Sequence, residues 1–124
     1  LLRMDQGRLD VALAASRRVL SETTNTLKRA RFLPAHVEIA LGASDVQEAR
    51  RAADELFAIA EGFGMDLLKA MADHAKGAVL LAKGDARAAI DPLRRAQGVW
   101  QHVGAPYLSA RIRALVARAY QALG

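Results

Sequence analysis

Apolar positions recur along this chain at spacings of three and four, and short polar or turn-forming stretches cut them into six segments. That period predicts amphipathic helices rather than strands. The clearest segment runs from Asp66 to Lys83, with Leu67, Ala70, Met71, His74, Ala75, Ala78 and Leu81 along one broad face. Ahead of it, a first helix is expected over Arg8–Leu20, a second over Pro34–Ala43 or from as early as Leu27, and a third from Ser44-Asp45 to Glu61. Beyond it, a fifth passes from Asp85 to Val103 through Ala89, Leu93, Ala96 and Trp100, and a sixth spans Pro106 to Leu123. Pro34 and Pro106 suit first-turn positions. Pro92 falls inside the fifth segment, where the lost backbone donor predicts a kink. Ser44 with Gln47 and Asp45 with Glu48 have capping-box spacing,. Gly84-Asp85 reads as a helix stop followed by a new N-cap.

The segments repeat at a spacing of about forty residues, which is the mark of a stacked helical array. Ser44–Ala49 falls on Gly84–Ala89, Gly64 on Gly104, Leu68 on Leu108 and Ala70 on Ala110, and a shorter early copy lays Gly7 and Ala12 over Ser44 and Ala49. Small residues in register let two helix backbones approach closely, so Gly77, aligned with Val37 and Ala117, is expected at a tight crossing. The same register puts Ala53 where Leu93 sits, and lines up Arg17, Asp54 and Arg94 as a basic, acidic, basic column suited to ion pairs between neighbouring repeats. The expected fold is all-α: one domain over residues 1–124, built of antiparallel helix pairs with short loops. The apolar side of the sixth helix, including Ile112, Leu115, Ala119 and Leu123, would have no following helix to cover it. The chain is therefore expected to be a piece of a larger protein, and isolated copies to associate as a homo-oligomer through this C-terminal end.

Composition narrows the picture further. Hydrophobic residues make up 52% and aromatics only 5%, with alanine abundant, which favours close helix packing,. There is no cysteine, so disulfides and thiolate metal sites are excluded. No apolar run reaches the ~20 residues a membrane span needs; no membrane association and a cytoplasmic location are the expectations. A net charge of +5 and a pI of about 10.2 would allow a nucleic-acid partner,. The alternating charge column suits paired helix faces better than a phosphate-tracking stripe, so no direct nucleic-acid binding is expected.

Gly84-Asp85-Ala86-Arg87-Ala88-Ala89-Ile90-Asp91-Pro92-Leu93-Arg94-Arg95-Ala96 resembles the turn and second helix of a tetratricopeptide repeat, matching its small and large contacts at Ala89, Leu93 and Ala96, with Gly77 and Leu80 in the preceding helix. The resemblance implies a right-handed solenoid, here with a period longer than the usual 34. A narrower likeness covers most of the chain. Leu33–Ile39, Ala49–Leu56, Ala75–Asp85 and Gly104–Tyr107 resemble the helical-repeat region of large bacterial LuxR-type regulators, in which a nucleotide-binding module precedes the repeats and a helix-turn-helix follows them. Neither of those modules is in this sequence. The resemblance implies a regulatory arm for transcription that senses a ligand or interacts with a partner; a free-standing tetratricopeptide adaptor for a peptide or partner protein is the alternative.

The residues offer little chemistry for catalysis. No glycine-rich phosphate loop is present, His36, His74 and His102 have no metal-ligand spacing, and Ser16, Ser21, Ser44 and Ser109 lack a turn that would expose a nucleophile,. Asp54 and Glu55 read as exposed helix charges rather than an acid/base pair. No catalytic, cofactor-binding or metal-binding residue is therefore assigned. Trp100 reads as a core anchor more readily than as a binding hot spot. With the tetratricopeptide phase, the first helix of each pair lines the concave side, which points Arg31, Glu38, Met71, His74, Arg111, Arg118 and Gln121 toward a groove. That face suits a protein or peptide partner or another domain of the same chain, and can equally be a solvated surface. A small-molecule effector would be sought on the Met71/Leu81 side of the fourth helix.

Overall fold

The computed structural model describes the backbone of residues 3–124 and the side chains from Gln6 onward. Six helices follow one another: α1 Arg3–Glu22, α2 Thr26–Gly42, α3 Val46–Phe63, α4 Asp66–Ala82, α5 Ala86–Val103 and α6 Pro106–Leu123. The described residues contain no strand. The first residues of α2, α4 and α6 stand forty positions apart, as do those of α3 and α5, so the sequence period is also the structural one. Connections of two or three residues make successive helices antiparallel. The array has two layers. In one, α2, α4 and α6 run in the same direction and touch side by side. In the other, α1, α3 and α5 pack only on that inner layer and leave their own backbones apart. An array whose inner helices are closer together than its outer ones curves toward the inner layer.

The turns explain why the boundaries repeat. At the end of α2 the Asp45 N–H donates to the Ala40 carbonyl at 2.8 Å, and at the end of α4 Asp85 donates to Leu80 at 2.9 Å. This six-residue closure needs a left-handed residue just before the aspartate. Gly84 supplies it with φ 86°, and Ser44 supplies it with φ 64°. Ser44 is therefore not an N-cap, contrary to the sequence reading. Asp45 fills that role by accepting the Glu48 N–H at 3.0 Å, as Asp85 accepts that of Ala88 at 3.2 Å. The second helix also begins earlier than Pro34, because the Asn25 side chain accepts the Lys28 N–H and starts α2 at Thr26. Pro34 thus lies in the helix interior, and α5 likewise continues through a buried Pro92 as one element.

Two packing units form the core, one from α1–α4 around Leu33, Val37 and Leu56 and the other from α4–α6 around Leu93, Trp100 and Ile112. The tightest approach joins α4 to α5. A Cβ on Gly77 would stand 2.4 Å from both Cγ and Cδ2 of Leu93, a separation no side chain tolerates. One repeat earlier the same two positions carry Val37 and Ala53, both buried. The large and small members have changed helices between repeats, so the volume at the crossing is kept. On the exterior, Arg17 pairs with Glu48 at 2.8 Å and with Asp45, Asp54 pairs with Arg50 on its own helix, and Arg94 donates to the Tyr120 hydroxyl. The expected ion pairing along the Arg17, Asp54, Arg94 column is not made, because each member is engaged elsewhere: Arg17 reaches α3 at its N-terminal end, Asp54 pairs within its own helix and Arg94 turns to α6. Nor is the apolar side of α6 bare: Ile112 and Ala119 are fully buried against the neighbouring helices, Leu115 is half-buried and Leu123 is exposed.

Gly77→Val is expected to overpack the crossing and lower stability by about 1–3 kcal/mol. Adding Leu93→Ala recreates the Val37/Ala53 arrangement and should recover most of that loss in chemical denaturation; a double mutant at least as unstable as the sum of the two singles would refute the exchange. Ser44→Gly removes the left-handed strain on a residue with a Cβ, a cost of roughly 1–2 kcal/mol partly offset by the greater freedom of glycine in the unfolded chain. A rise in melting temperature is expected, and a fall would show that Ser44 holds the turn in some other way.

Candidate functional site

Columns of equivalent residues build a groove on the inner face. Position 31 of α2 recurs at 71 and 111, giving Arg31, Met71 and Arg111; position 38 recurs at 78 and 118, giving Glu38, Ala78 and Arg118. The two flanking helices thus carry long charged arms where the central helix carries a thioether and a methyl group. Ala75 lies between, with Ala35 and Leu115 as its equivalents. Short side chains along α4, bordered by long ones on α2 and α6, leave a recess of about 540 Å³. Its walls include Leu41, Leu67, Met71, Leu108 and Leu115, and the charged residues around it are Arg31, Glu38, Arg111 and Arg118.

Arg111 forms an ion pair with Glu38. This pair links α6 to α2, which are separated by α4, and so it bridges the recess. Arg111 also donates to the Tyr107 hydroxyl at 3.0 Å and lies against that ring, with 5.6 Å from its guanidinium carbon to the ring centre. A carboxylate and a phenol one turn away therefore hold the guanidinium, while Arg31 and Arg118 make no ion pair among the described residues.

Trp100 lines the recess from α5. It is 3% exposed, and its indole N–H donates to His74 Nδ1 at 3.1 Å. The bond requires a lone pair on Nδ1, so the neutral ring carries its proton on Nε2. Burial pushes the His74 pKa below the ordinary histidine value, because the charged ring would lose hydration. The indole thus combines the core role expected for it with a polar anchor that fixes His74.

Six of the residues projected toward the groove, Arg31, Glu38, Met71, His74, Arg111 and Arg118, line this one recess. Gln121 does not; it is exposed near the end of α6. Leu81 packs beside the α4–α6 core rather than in the recess. Sequence reasoning missed the Glu38–Arg111 bridge, since two residues on helices separated by a third come into contact only through the curvature of the array.

It also missed a polar network under α1. His36, 4% exposed, lies 2.7 Å from Ser16 Oγ through Nδ1 and 3.1 Å from Glu48 Oε2 through Nε2, and Glu48 in turn holds Arg17. A serine, a histidine and a carboxylate in line resemble catalytic machinery in outline. Ser16, however, lies in mid-helix, where the backbone N–H groups are committed to the helix and no oxyanion donors face it,. The arrangement ties three helices together through satisfied buried polar groups. A smaller cavity of about 220 Å³ beside it is lined by Arg17, Arg29, His36, Glu48, Arg51 and Glu55. There Arg29 grips Glu55 at 2.6 and 2.9 Å, which lowers the Glu55 pKa, so most of its charge is neutralised internally. No helix is long and apolar enough to cross a membrane among the described residues. No family model, curated protein or solved structure matches the chain.

The histidine makes the site sensitive to pH. Its pKa is lowered on folding, so the unfolded chain takes up the proton first, and the stability it contributes is complete above about pH 6.5 and lost as pH falls toward the folded value. His74→Gln retains an acceptor for Trp100 without titrating. The drop in melting temperature between pH 7.5 and 5 is expected to be smaller in His74→Gln than in the parent chain; parallel drops would remove His74 from the account. Arg31, Glu38, Arg111 and Arg118 face the same recess.

Proposed function

We propose that this chain is the regulatory helical-repeat arm of a LuxR-type transcriptional regulator, and that its concave recess receives the signal, as a small-molecule effector or as a segment of a partner protein or another domain. The observation that carries this reading is the recess itself: an apolar hollow of about 540 Å³ bordered by a few convergent charges, within the ~300–1,000 Å³ range of ligand sites. Its walls come from three separate helices, so an occupant would bear on α2, α4 and α6 together. Such contact could shift the curvature of the array, which is the property a relay to other domains requires. The Glu38–Arg111 bridge adds a joint that can open or close between the outer two of those helices. The family resemblance of Leu33–Ile39, Ala75–Asp85 and Gly104–Tyr107 supports the regulatory assignment. The chemistry of the recess favours binding over catalysis, since its one histidine spends Nδ1 on Trp100 and its one carboxylate, Glu38, is held by Arg111,.

Filling the recess tests the reading. In the intact gene product, Ala78→Trp is expected to reduce effector-dependent transcription at least tenfold, while Arg87→Ala, on the exposed surface of α5, leaves it unchanged. Full regulation by the Ala78→Trp protein would reject the recess as the signal site.

A further inference from the structure

The lining of the recess is selective in a way its shape alone is not. It contains no asparagine, glutamine, serine or threonine. A peptide laid along it would bury backbone N–H groups, and the side-chain acceptors present, Glu38, the Tyr107 hydroxyl and His74 Nδ1, are already engaged by Arg111 and Trp100, so those donors would go unmatched. An aliphatic body makes no such demand. At the border, three arginines face one glutamate. That glutamate already shows what the arginines accept: its carboxylate is held by Arg111, in the charge-assisted contact that guanidinium groups form best. The bridge also spans the recess from α2 to α6, so a polypeptide passing along the groove would have to thread beneath it. A molecule confined within the hollow would not.

We propose that the recess binds a small amphiphilic carboxylic acid, whose carboxylate takes the place of Glu38 on Arg111 while its apolar chain lies on Met71, Ala75, Ala78 and Leu115. This deepens the reading of the recess as the signal site and rests on it. Arg118, seven residues from Arg111 on α6, and Arg31, seven residues from Glu38 on α2, share the helix faces that border the hollow. They offset the negative charge that Glu38 and the ligand would together bring. When the ligand carboxylate holds Arg111, the link between α2 and α6 is released, so binding and a change in the array are one event. The exchange trades one carboxylate for another on the same guanidinium. The gain therefore comes from covering the apolar walls, with the head group deciding which apolar molecules are admitted.

The probe is dodecanoate, with dodecanol as its neutral counterpart, both below the concentration at which they aggregate. Binding to the 124-residue chain is followed by the fluorescence of Trp100, its single tryptophan. Dodecanoate is expected to saturate the signal and bind at least tenfold more tightly than dodecanol. Glu38→Gln, which frees Arg111, should tighten dodecanoate several-fold and leave dodecanol unchanged; Arg111→Gln should abolish the preference for the acid even if both variants lose some stability. Equal affinity for acid and alcohol, or no response to Glu38→Gln, overturns the proposal. Competition by a short acidic peptide that binds more tightly than dodecanoate also overturns it, in favour of a protein partner. If neither amphiphile binds but Ala78→Trp still abolishes regulation in the intact protein, the ligand class fails and the site stands. If dodecanoate binds Ala78→Trp as well as it binds the parent chain, the recess itself fails as its site.

Discussion

Everything on the inner face depends on how close α4 can come to α5. At Gly77 the two helices meet with no room for a Cβ beside Leu93, so the central helix of the inner layer packs directly onto the outer one there. Trp100 enters the same interface about two turns beyond Leu93 on α5 and fixes His74 through its indole N–H. Short side chains on α4 between the long ones of α2 and α6 leave the inner face hollow. A valine at Gly77, as the preceding repeat has at Val37, would push α4 outward unless Leu93 shrank with it.

The hollow is thus a product of repeat divergence rather than of a specialised loop. From α2 onward the repeats keep nearly the same helix lengths and turns, and differ in side-chain size at a few inner positions. Arginine or glutamate on the flanking helices becomes methionine or alanine on the central one. Long arms beside short ones make both the cavity and the charges that face it, and curvature then brings Arg111 onto Glu38. A binding site can arise this way without altering the backbone, which explains how fold and specificity separate in arrays whose repeats contact only their neighbours.

The period of forty, the short turns and the small residues in register made the all-α array and its six helices legible from sequence. Gly77 stood out because its equivalents are also small or buried, and the inner-face positions followed from the phase of the repeat, with Gln121 the exception because it lies near the helix end. The errors have a common origin in local contexts that one side chain can decide. Ser44 looks like a cap by residue type, yet the turn it occupies demands a left-handed residue and hands the capping role to Asp45. Of the two starts open for α2, the earlier one near Leu27 holds, because Asn25 caps the helix and Pro34 falls in its interior. The charge column failed for a different reason: equivalence along a repeat says which residues share a face, not which charges meet, and Arg17 reaches α3 at Glu48 and Asp45 rather than at Asp54. The Ser16–His36–Glu48 network and the Glu38–Arg111 bridge were invisible for the same reason, since both join helices across distances that only the packing fixes.

The central claim is that the Gly77 crossing sets the spacing of the inner helices. The chain has no cysteine, so a pair introduced at exposed Lys28 on α2 and Ala114 on α6 can carry spin labels at two defined points. Their separation, measured by pulsed electron resonance, should form one narrow distribution in the parent chain, broaden and shift with Gly77→Val, and return when Leu93→Ala is added. An unchanged distribution in a folded Gly77→Val protein would contradict the account, because the inner layer would then be held by something other than the close approach of α4 to α5.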